Sequence, residues 1–278
     1  TTRDFGAIQS YKWADLNGNH KWDADEPPIP DWMVFLDTDQ DGECDEDEPQ
    51  THTNENGSYV FRNLLPGVYD VTEEPHTCWQ QSYPTQHASY RVDIVGGELF
   101  EGLNFGNRPV CDWGDLPERL YPTLADHNGP LHIVTPGLLL GREIDSEPDG
   151  QPIPPARGDD NNGLEDEDGV GNWQGLWARN PDATVDVTVV GTGYLQAWVD
   201  FDRNGFQASD QILTNTVLGT GTHTLPFAVP PRALPQTTVA ARFRFSSQPS
   251  LSWAGPAPDG EVEDYAVHLG ASPAVETD

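Results

Sequence analysis

Glycine and proline interrupt this chain too often for long helices to form. Its 278 residues include 27 Gly and 25 Pro, the residues that break helices and begin turns. Between these interruptions apolar and polar side chains alternate, as at Trp32, Val34 and Leu36 and again over residues 185–189. An alternation with a period of two is typical of strands buried on one face. We therefore expect an all-β protein.

The length of the chain favours two domains. The strand pattern of the first half ends near Pro109, a loop-rich stretch covers residues 111–172, and strands then resume as far as Leu269. Short strands separated by regular turn signals are typical of β-sandwiches. We expect two β-sandwich domains in tandem, at residues 1–109 and 110–270, followed by a linker or C-terminal arm at 271–278.

The net charge excludes some partners. Asp and Glu number 46 against 14 Lys and Arg, which gives −32 at pH 7. Such a polyanion repels nucleic acid and anionic lipid, and no apolar stretch is long enough to span a membrane. We expect neither nucleic acid binding nor membrane insertion. The carboxylates either cover a solvated surface or surround cations.

Two twelve-residue stretches favour cations. Residues 15–26 (loop one) and 37–48 (loop two) both carry oxygen-bearing side chains at positions 1, 3, 5, 9 and 12, the spacing of an EF-hand-type Ca²⁺ loop, in which position 7 adds a carbonyl. Loop two has Gly42 at the sixth position, whereas loop one has His20 there and Gly18 at the fourth. The predicted ligands are Asp15, Asn17, Asn19, the Lys21 carbonyl, Asp23 and Glu26 in loop one, and Asp37, Asp39, Asp41, the Glu43 carbonyl, Asp45 and Glu48 in loop two.

Solvated acidic turns are the alternative interpretation. Two carboxylates about 4 Å apart repel each other by roughly 4 kcal/mol at an effective dielectric constant near 20. Packing four or more into twelve residues is costly without a counter-ion, and the shared register of the two loops makes coincidence a poor explanation. We therefore predict several bound Ca²⁺ ions.

Three further acidic groups follow. Residues 200–210 form a third candidate loop without a terminal Glu, and its predicted ligands are Asp200, Asp202, Asn204, the Phe206 carbonyl and Asp210. The acidic stretch at 158–169 has no clean spacing. Glu261 and Glu263 share strand parity with the apolar residues that follow them, so they need either a cation or an arginine partner. Arg242 and Arg244 are the competing partners, and the sequence does not separate the two interpretations.

Three cysteines, Cys44, Cys78 and Cys111, allow at most one internal disulfide. Cys78–Cys111 is the preferred pair because Cys44 lies inside loop two. An intermolecular bond through the odd cysteine stays open.

Several motifs give the first half a family resemblance. Residues 10–19 (SYKWADLNGN), 36–43 (LDTDQDGE), 56–61 (NGSYVF), 65–71 (LPGVYDV) and 104–107 (NFGN) resemble the SdrD B-like domain of bacterial surface proteins, a relative of the Cna B-type modules. The resemblance covers about residues 1–109. The second half, about 110–270, resembles a GEVED domain, whose naming motif stands here as GEVEDY at residues 260–265.

The resemblance implies an extracellular, multi-module bacterial protein whose B-like domains bind calcium and act as rigid spacers, adhesive stalks or fibre subunits. It assigns the calcium role to Asp15, Asn17, Asn19, Glu26, Asp37, Asp39, Asp41 and Glu48. GEVED-type domains bring no clear chemistry. Some Cna B relatives form Lys–Asn isopeptide bonds promoted by an acid, and the residues here that match this arrangement are Lys12, Asn104 or Asn107, and Glu73.

No catalytic motif stands out. G-x-S-x-G, H-E-x-x-H and phosphate-binding glycine loops are absent from the sequence, and no pair of acids is singled out for glycoside hydrolysis. We expect a non-catalytic structural protein at the cell surface or outside the cell, with neighbouring modules or subunits as partners. Two alternatives remain: self-assembly through an edge strand or the 271–278 arm, and carbohydrate binding by tryptophans that fall in or near loops, namely Trp79, Trp173, Trp177 and Trp253.

Overall fold

The computed structural model describes residues 4–154, 156 and 166–273. In this part of the chain the regular structure consists of short and long strands with two single-turn 3-10 helices, Ala125–His127 and Ala208–Asp210. The predicted all-β class is confirmed. No helix among the described residues has the length and hydropathy needed to cross a membrane.

The chain divides into two compact units, the first ending at Pro109 and the second beginning at Val110. Unit one holds strands β1 to β9, and Gly and Pro residues separate most of them. Their bounds are β1 Gly6–Ala14, β2 Met33–Asp37, β3 Gln50–His52, β4 Ser58–Leu64, β5 Gly67–Glu73, β6 Trp79–Tyr83, β7 Tyr90–Ile94, β8 Leu99–Phe100 and β9 Phe105–Pro109.

Unit one is a sandwich of two sheets. One has the order β4-β1-β9-β6, with β8 also pairing with β1, and the other has the order β3-β2-β5-β7. Strand β1 runs antiparallel to β4 and parallel to β9. Side chains from both sheets form one core, because alternate residues of each strand point inward. The core residues are Ile8, Val34, Leu36, Tyr59, Phe61, Leu64, Val71, Val92, Ile94 and Phe105.

Unit two holds the remaining strands. Their bounds are β10 Cys111–Trp113, β11 Pro130–Ile133, β12 Leu139–Leu140, β13 Val170–Gln174, β14 Ala183–Val199, β15 Gln211–Phe227, β16 Thr237–Ser246, β17 Gly255–Ala257 and β18 Glu261–Leu269. The large sheet has the order β12-β14-β16-β18, and β13 and β15 also pair with β14. Strands β10, β11 and β17 form a smaller sheet.

The two faces of the large sheet bury different kinds of side chain. One face carries the main core, which includes Val185, Val187, Phe243 and Phe245. The other carries Trp198, Arg242 and Arg244, all buried, and Trp198 packs with a smaller apolar cluster that includes Tyr121 and Phe206. This second face therefore combines aromatic rings with buried charges.

Candidate metal centres

Loops one and two begin where strands β1 and β2 end. Asp15 follows the last residue of β1, and Asp37 is the last residue of β2. Both first-position carboxylates are buried, and so are the twelfth-position residues Glu26 and Glu48. The intervening acidic and amide side chains are mostly exposed. Each loop thus has two buried carboxylates beneath a polar, solvent-facing turn.

The two loops share one hydrogen-bond pattern at their first position. The backbone N–H of the sixth residue donates to the first Asp, from His20 to Asp15 Oδ2 at 3.1 Å and from Gly42 to Asp37 Oδ2 at 3.0 Å. The pattern continues along the turn, where the third side chain accepts from the fifth N–H and the fifth side chain accepts from the seventh N–H. The sequence register therefore corresponds to a repeated three-dimensional turn.

The twelfth residue of each loop folds back over the turn. Glu26 Oε2 accepts from the N–H of Asp23 at 3.0 Å, and Glu48 Oε2 accepts from the N–H of Asp45 at 3.3 Å. Glu48 Oε1 also accepts from the N–H of Thr38 at 2.5 Å. Hydrogen bonds of this kind outweigh the opposing effect of burial and hold the pKa of Glu48 below its usual value. The Glu48 carboxylate is thereby fixed in its charged form above the loop.

The backbone also explains the different glycine positions of the two loops. The fourth and sixth residues of both loops lie in the left-handed region, with φ of 65° at Gly18 and His20, 66° at Gln40 and 82° at Gly42. Each loop therefore has two left-handed positions and places glycine at one of them, the fourth in loop one and the sixth in loop two. The missing glycine at position six of loop one does not change its fold.

Loop two concentrates negative charge. Carboxylate oxygens of Asp37, Asp39 and Glu48 lie within 4.8 Å of one another, and so do those of Asp39, Asp41 and Asp45. The charge of Asp41 is the main cause of the raised pKa of Asp45, followed by burial and the charge of Asp39. A site with these oxygen donors and this mutual repulsion has the chemistry that suits Ca²⁺.

Loop one relies more on neutral oxygen donors. The amides of Asn17 and Asn19 donate to Asp23 Oδ2 at 3.1 and 2.7 Å, and these hydrogen bonds lower the pKa of Asp23. Asp15 Oδ1 is buried without a hydrogen-bond partner among the described residues. An orphaned carboxylate oxygen at the base of the loop fits a bound cation, whose ligands would then include the amide oxygens.

The third candidate loop, residues 200–210 (loop three), repeats the turn but has an arginine beside its acidic residues. Its fourth and sixth residues, Arg203 and Gly205, have φ of 61° and 90°, and the Gly205 N–H donates to Asp200 Oδ2 at 2.8 Å. Arg232 lies 2.5 Å from an oxygen of Asp210 and 3.4 Å from an oxygen of Asp202. The structure thus gives two of the predicted ligands a guanidinium counter-charge.

Other predicted ligands of loop three also have protein partners. The Tyr121 hydroxyl donates to Asp200 at 2.7 Å, and Asn204 Oδ1 accepts from Gln207 at 2.9 Å. The side chain of Phe206 packs against the ring of Tyr121. Calcium binding at loop three stays a prediction, and of the three loops it is the one least in need of a cation.

The cross-strand register separates Glu261 and Glu263 from the arginines. In the β16–β18 pair Phe243 lies opposite Glu263, and Arg242 lies opposite Asp264. Directly opposed residues share one face of a sheet, so the arginines lie on the other face. The choice left open by the sequence is therefore decided against arginine.

Buried partners on their own face hold the two arginines. Arg242 makes two hydrogen bonds of 2.7 Å to Asp264. Arg244 donates to His132 Nε2 at 2.9 Å and to several backbone carbonyls. Burial and the charge of Arg244 lower the pKa of His132, whose ring accepts that hydrogen bond in its neutral form.

Another acidic group, which was not predicted from the sequence, lies inside unit two. Carboxylate oxygens of Asp145, Glu147 and Asp166 lie within 4.8 Å of one another. Burial, contact with Asp145 and the nearby charge of Asp112 raise the pKa of Glu147. Burial and the charge of Glu263 raise the pKa of Glu261, and burial raises the pKa of Glu263 to about 8. No spacing signal marks this group, because Asp166 is far in sequence from Asp145 and Glu147. Residues 158–165 of the predicted acidic stretch lie outside the described residues.

A buried lysine occupies the core of unit one. Lys12 Nζ lies 2.5 Å from Glu73 Oε2 and 2.7 Å from Asn107 Oδ1, and 3.7 Å from the centre of the Trp32 ring. Burial lowers the pKa of Lys12 to about 8 and raises the pKa of Glu73. Asn104 instead accepts a hydrogen bond from the N–H of Tyr11. Of the two asparagines left open by the sequence, Asn107 is the one beside the lysine.

The cysteines and tryptophans bear on the remaining predictions. Cys78 and Cys111 each take part in a disulfide, and Cys44 is free. Trp79 packs edge-on against Trp32, Trp173 against Phe227 and Phe243, and Trp253 against Trp198. Three of these four tryptophans therefore pack against other rings, and two of them, Trp79 and Trp173, lie in strands β6 and β13.

Comparison with known proteins gives two family matches in the predicted order. Residues 6–96 match the SdrD B-like domain family, and residues 194–268 match the GEVED domain family. Colossin-A of Dictyostelium discoideum is 28% identical over 157 residues, which are 52% of this chain and 1% of that protein. This chain therefore spans a very small part of that relative.

Solved structures of pilins show weak similarity. The minor pilin GBS52 of Streptococcus agalactiae is 18% identical, with a TM-score of 0.28 over 39% of this chain and 46% of that one. The major pilin SpaD of Corynebacterium diphtheriae is 11% identical, with a TM-score of 0.31 over 96% of this chain and 66% of that one.

Proposed function

We propose that this chain, with its SdrD B-like and GEVED domains, is a non-catalytic, calcium-stabilised structural segment of an extracellular or cell-surface protein. The observation that carries the proposal is the repeated turn of loops one and two, each closed by a buried Asp at position 1 and a buried Glu at position 12. A disulfide, formed in oxidising compartments, supports the extracellular location. In this proposal the chain serves as a rigid spacer, an adhesin segment or a fibre subunit.

The stabilisation follows from linkage between binding and folding. The folded loops bring the ligands together, and the unfolded chain does not, so bound Ca²⁺ favours the folded state. Each site contributes about 2.7 kcal/mol when free Ca²⁺ is a hundredfold above its Kd. Sites of modest affinity suffice outside cells, where extracellular modules bind Ca²⁺ with a Kd of roughly 0.1–1 mM.

Equilibrium dialysis of the full chain against Ca²⁺ tests the proposal. Glu26→Gln and Glu48→Gln each remove the charged twelfth-position ligand, and we expect each variant to lose one bound ion. Asp25→Asn and Glu46→Gln change exposed acids at positions 11 and 10, which are not ligands, and serve as matched controls. Equal binding by all four variants and the unaltered protein would refute calcium binding at these loops.

A second candidate function is an internal cross-link between Lys12 and Asn107. The contacts of Lys12 with Glu73 and Asn107 favour it, since burial shifts the lysine toward its neutral, nucleophilic form and the glutamate toward its protonated form. The Lys12 amine would attack Asn107 Cγ. The new Cγ–Nζ bond replaces the Cγ–Nδ2 bond, and Glu73 transfers the amine proton to the departing nitrogen, which leaves as ammonia.

Intact-protein mass spectrometry tests the cross-link. After reduction and denaturation, the chain should weigh less than its sequence by one ammonia. Lys12→Arg and Glu73→Gln should have the full mass of their sequences, whereas Lys21→Arg, an exposed control, should keep the loss. A full-length mass for the unaltered chain would exclude the cross-link and leave the calcium proposal untouched.

A further inference from the structure

The acidic group of unit two is built by several separate segments. A hydrogen bond from the Glu147 N–H to the Cys111 carbonyl, 2.8 Å long, joins its segment to β10. Asp112 of β10 accepts from the N–H of Val262 in β18 at 2.6 Å. Asp166 accepts from the N–H of Asp145 at 3.4 Å. The fold itself therefore brings these carboxylates together.

Glu147 is the most informative member. The residue is 1% exposed, and both of its carboxylate oxygens lack a hydrogen-bond partner among the described residues. Both oxygens of Asp145 and one of Glu261 share this condition. A buried charged carboxylate without a donor is strongly disfavoured, so these oxygens need either a bound cation or a proton.

In the described part of the chain, no positively charged side chain forms an ion pair with these buried oxygens of Asp145, Glu147 and Glu261. None of its ion pairs includes Asp145, Glu147 or Glu261. Arg242 donates to Asp264. Arg244 donates to His132 and to backbone carbonyls, and the charge of Asp112 is close enough to act on the pKa of Arg244. The oxygens of Asp145, Glu147 and Asp166 therefore face one another.

We propose that Asp145, Glu147 and Asp166 bind a divalent cation inside unit two, with Glu261 and Asp112 beside it. Ligands made only of carboxylate oxygens select hard cations. Ca²⁺ fits better than Mg²⁺, because Mg²⁺ is usually held by one or two carboxylates and keeps several waters. The site belongs to the GEVED-containing unit and shares no residue with the loops of unit one. Either proposal can therefore be refuted without the other.

The calcium content of the full chain tests this site. Glu147→Gln should bind one Ca²⁺ fewer than the unaltered protein in equilibrium dialysis, and Glu143→Gln, an exposed neighbour, should bind the same number. The double variant Glu26→Gln/Glu48→Gln should keep the ion. Unchanged binding by a folded Glu147→Gln protein would overturn the proposal and show that the cluster holds protons instead.

A measurement on the unaltered protein covers the case in which Glu147→Gln fails to fold. Crystals grown with Tb³⁺, a calcium substitute with strong anomalous scattering, should show an anomalous peak among Asp145, Glu147 and Asp166. A map with peaks at loops one and two and none at this cluster would overturn the unit-two site while supporting the loops. Peaks at the cluster alone would do the reverse.

Discussion

His20 and Gly42 occupy the same place in two separate loops. Both are sixth in a twelve-residue turn, both have positive φ, 65° and 82°, and both donate their N–H to the buried Asp that begins the loop. A histidine therefore adopts a conformation that favours glycine. The turn is specified by its hydrogen bonds, and glycine only lowers its strain.

Gly42→Ala should destabilise unit one by about 1 kcal/mol, the cost of placing a Cβ in the left-handed region. Nothing lies within 4 Å of the position that this Cβ would take, so the backbone conformation alone opposes the change. Urea unfolding in saturating Ca²⁺ measures it. The converse change, Gln40→Gly, should stabilise by a similar amount, and an equal stability for all three proteins would contradict the left-handed assignment.

Arg232→Ala should make loop three depend on calcium. Without the guanidinium, Asp202 and Asp210 repel each other, and we expect a loss of about 1 kcal/mol in chelator, kept small because Arg232 is 33% exposed. Added Ca²⁺ should restore the lost stability. Arg179→Ala, an exposed arginine elsewhere in unit two, is the control. A loss that Ca²⁺ leaves unchanged would show that loop three does not bind the ion.

Asp264→Asn should strongly destabilise unit two. Asp264 accepts two hydrogen bonds from Arg242 and one each from the N–H groups of Asp115 and Leu116. Removing one partner of a buried pair leaves an uncompensated charge and costs about 3–5 kcal/mol. Thermal unfolding should show this as a much lower Tm, while Asp182→Asn, an exposed control, should change little.

The Lys12–Glu73 pair predicts a pH dependence. Lys12 has a folded pKa of about 8, below its ordinary value of 10.5, so between these values the unfolded chain binds more protons at this residue. Stability should therefore rise with pH across this window. The measurement uses Asn107→Ala, which cannot cross-link, against Asn107→Ala/Lys12→Met. A stability difference independent of pH from 8 to 10.5 would contradict the lowered pKa.

The sequence predicted those features that are local. Alternation predicted the strands that bury Val34, Leu36 and Val185, and a fixed spacing predicted that Asp15 and Glu26 belong to one turn. The order of the two domain families was confirmed by the comparisons. Local patterns succeed here because a strand or a twelve-residue turn is specified by residues that are close in the chain.

The long-range contacts could not be predicted from the sequence. Glu147 and Asp166 come together only in the folded unit, where Asp166 accepts a hydrogen bond from the N–H of Asp145, and no spacing rule connects them. Arg232 comes to loop three from a distant segment for the same reason. The uncertainty over Arg242 and Glu263 ended only when the β16–β18 register was known, since a shift of one residue exchanges the faces of a strand.

Calorimetric melting of the full chain, with Ca²⁺ about a hundredfold above Kd and again after chelation, tests calcium stabilisation most directly. Each cation site adds about 2.7 kcal/mol at a hundredfold excess over Kd, and each kcal/mol corresponds to roughly 2–4 °C in a protein of 150–250 residues. Chelation should therefore lower the Tm by about 5–10 °C for each site in unit two, and by more for each site in the smaller unit one. Superimposable melting curves would contradict calcium stabilisation of either unit.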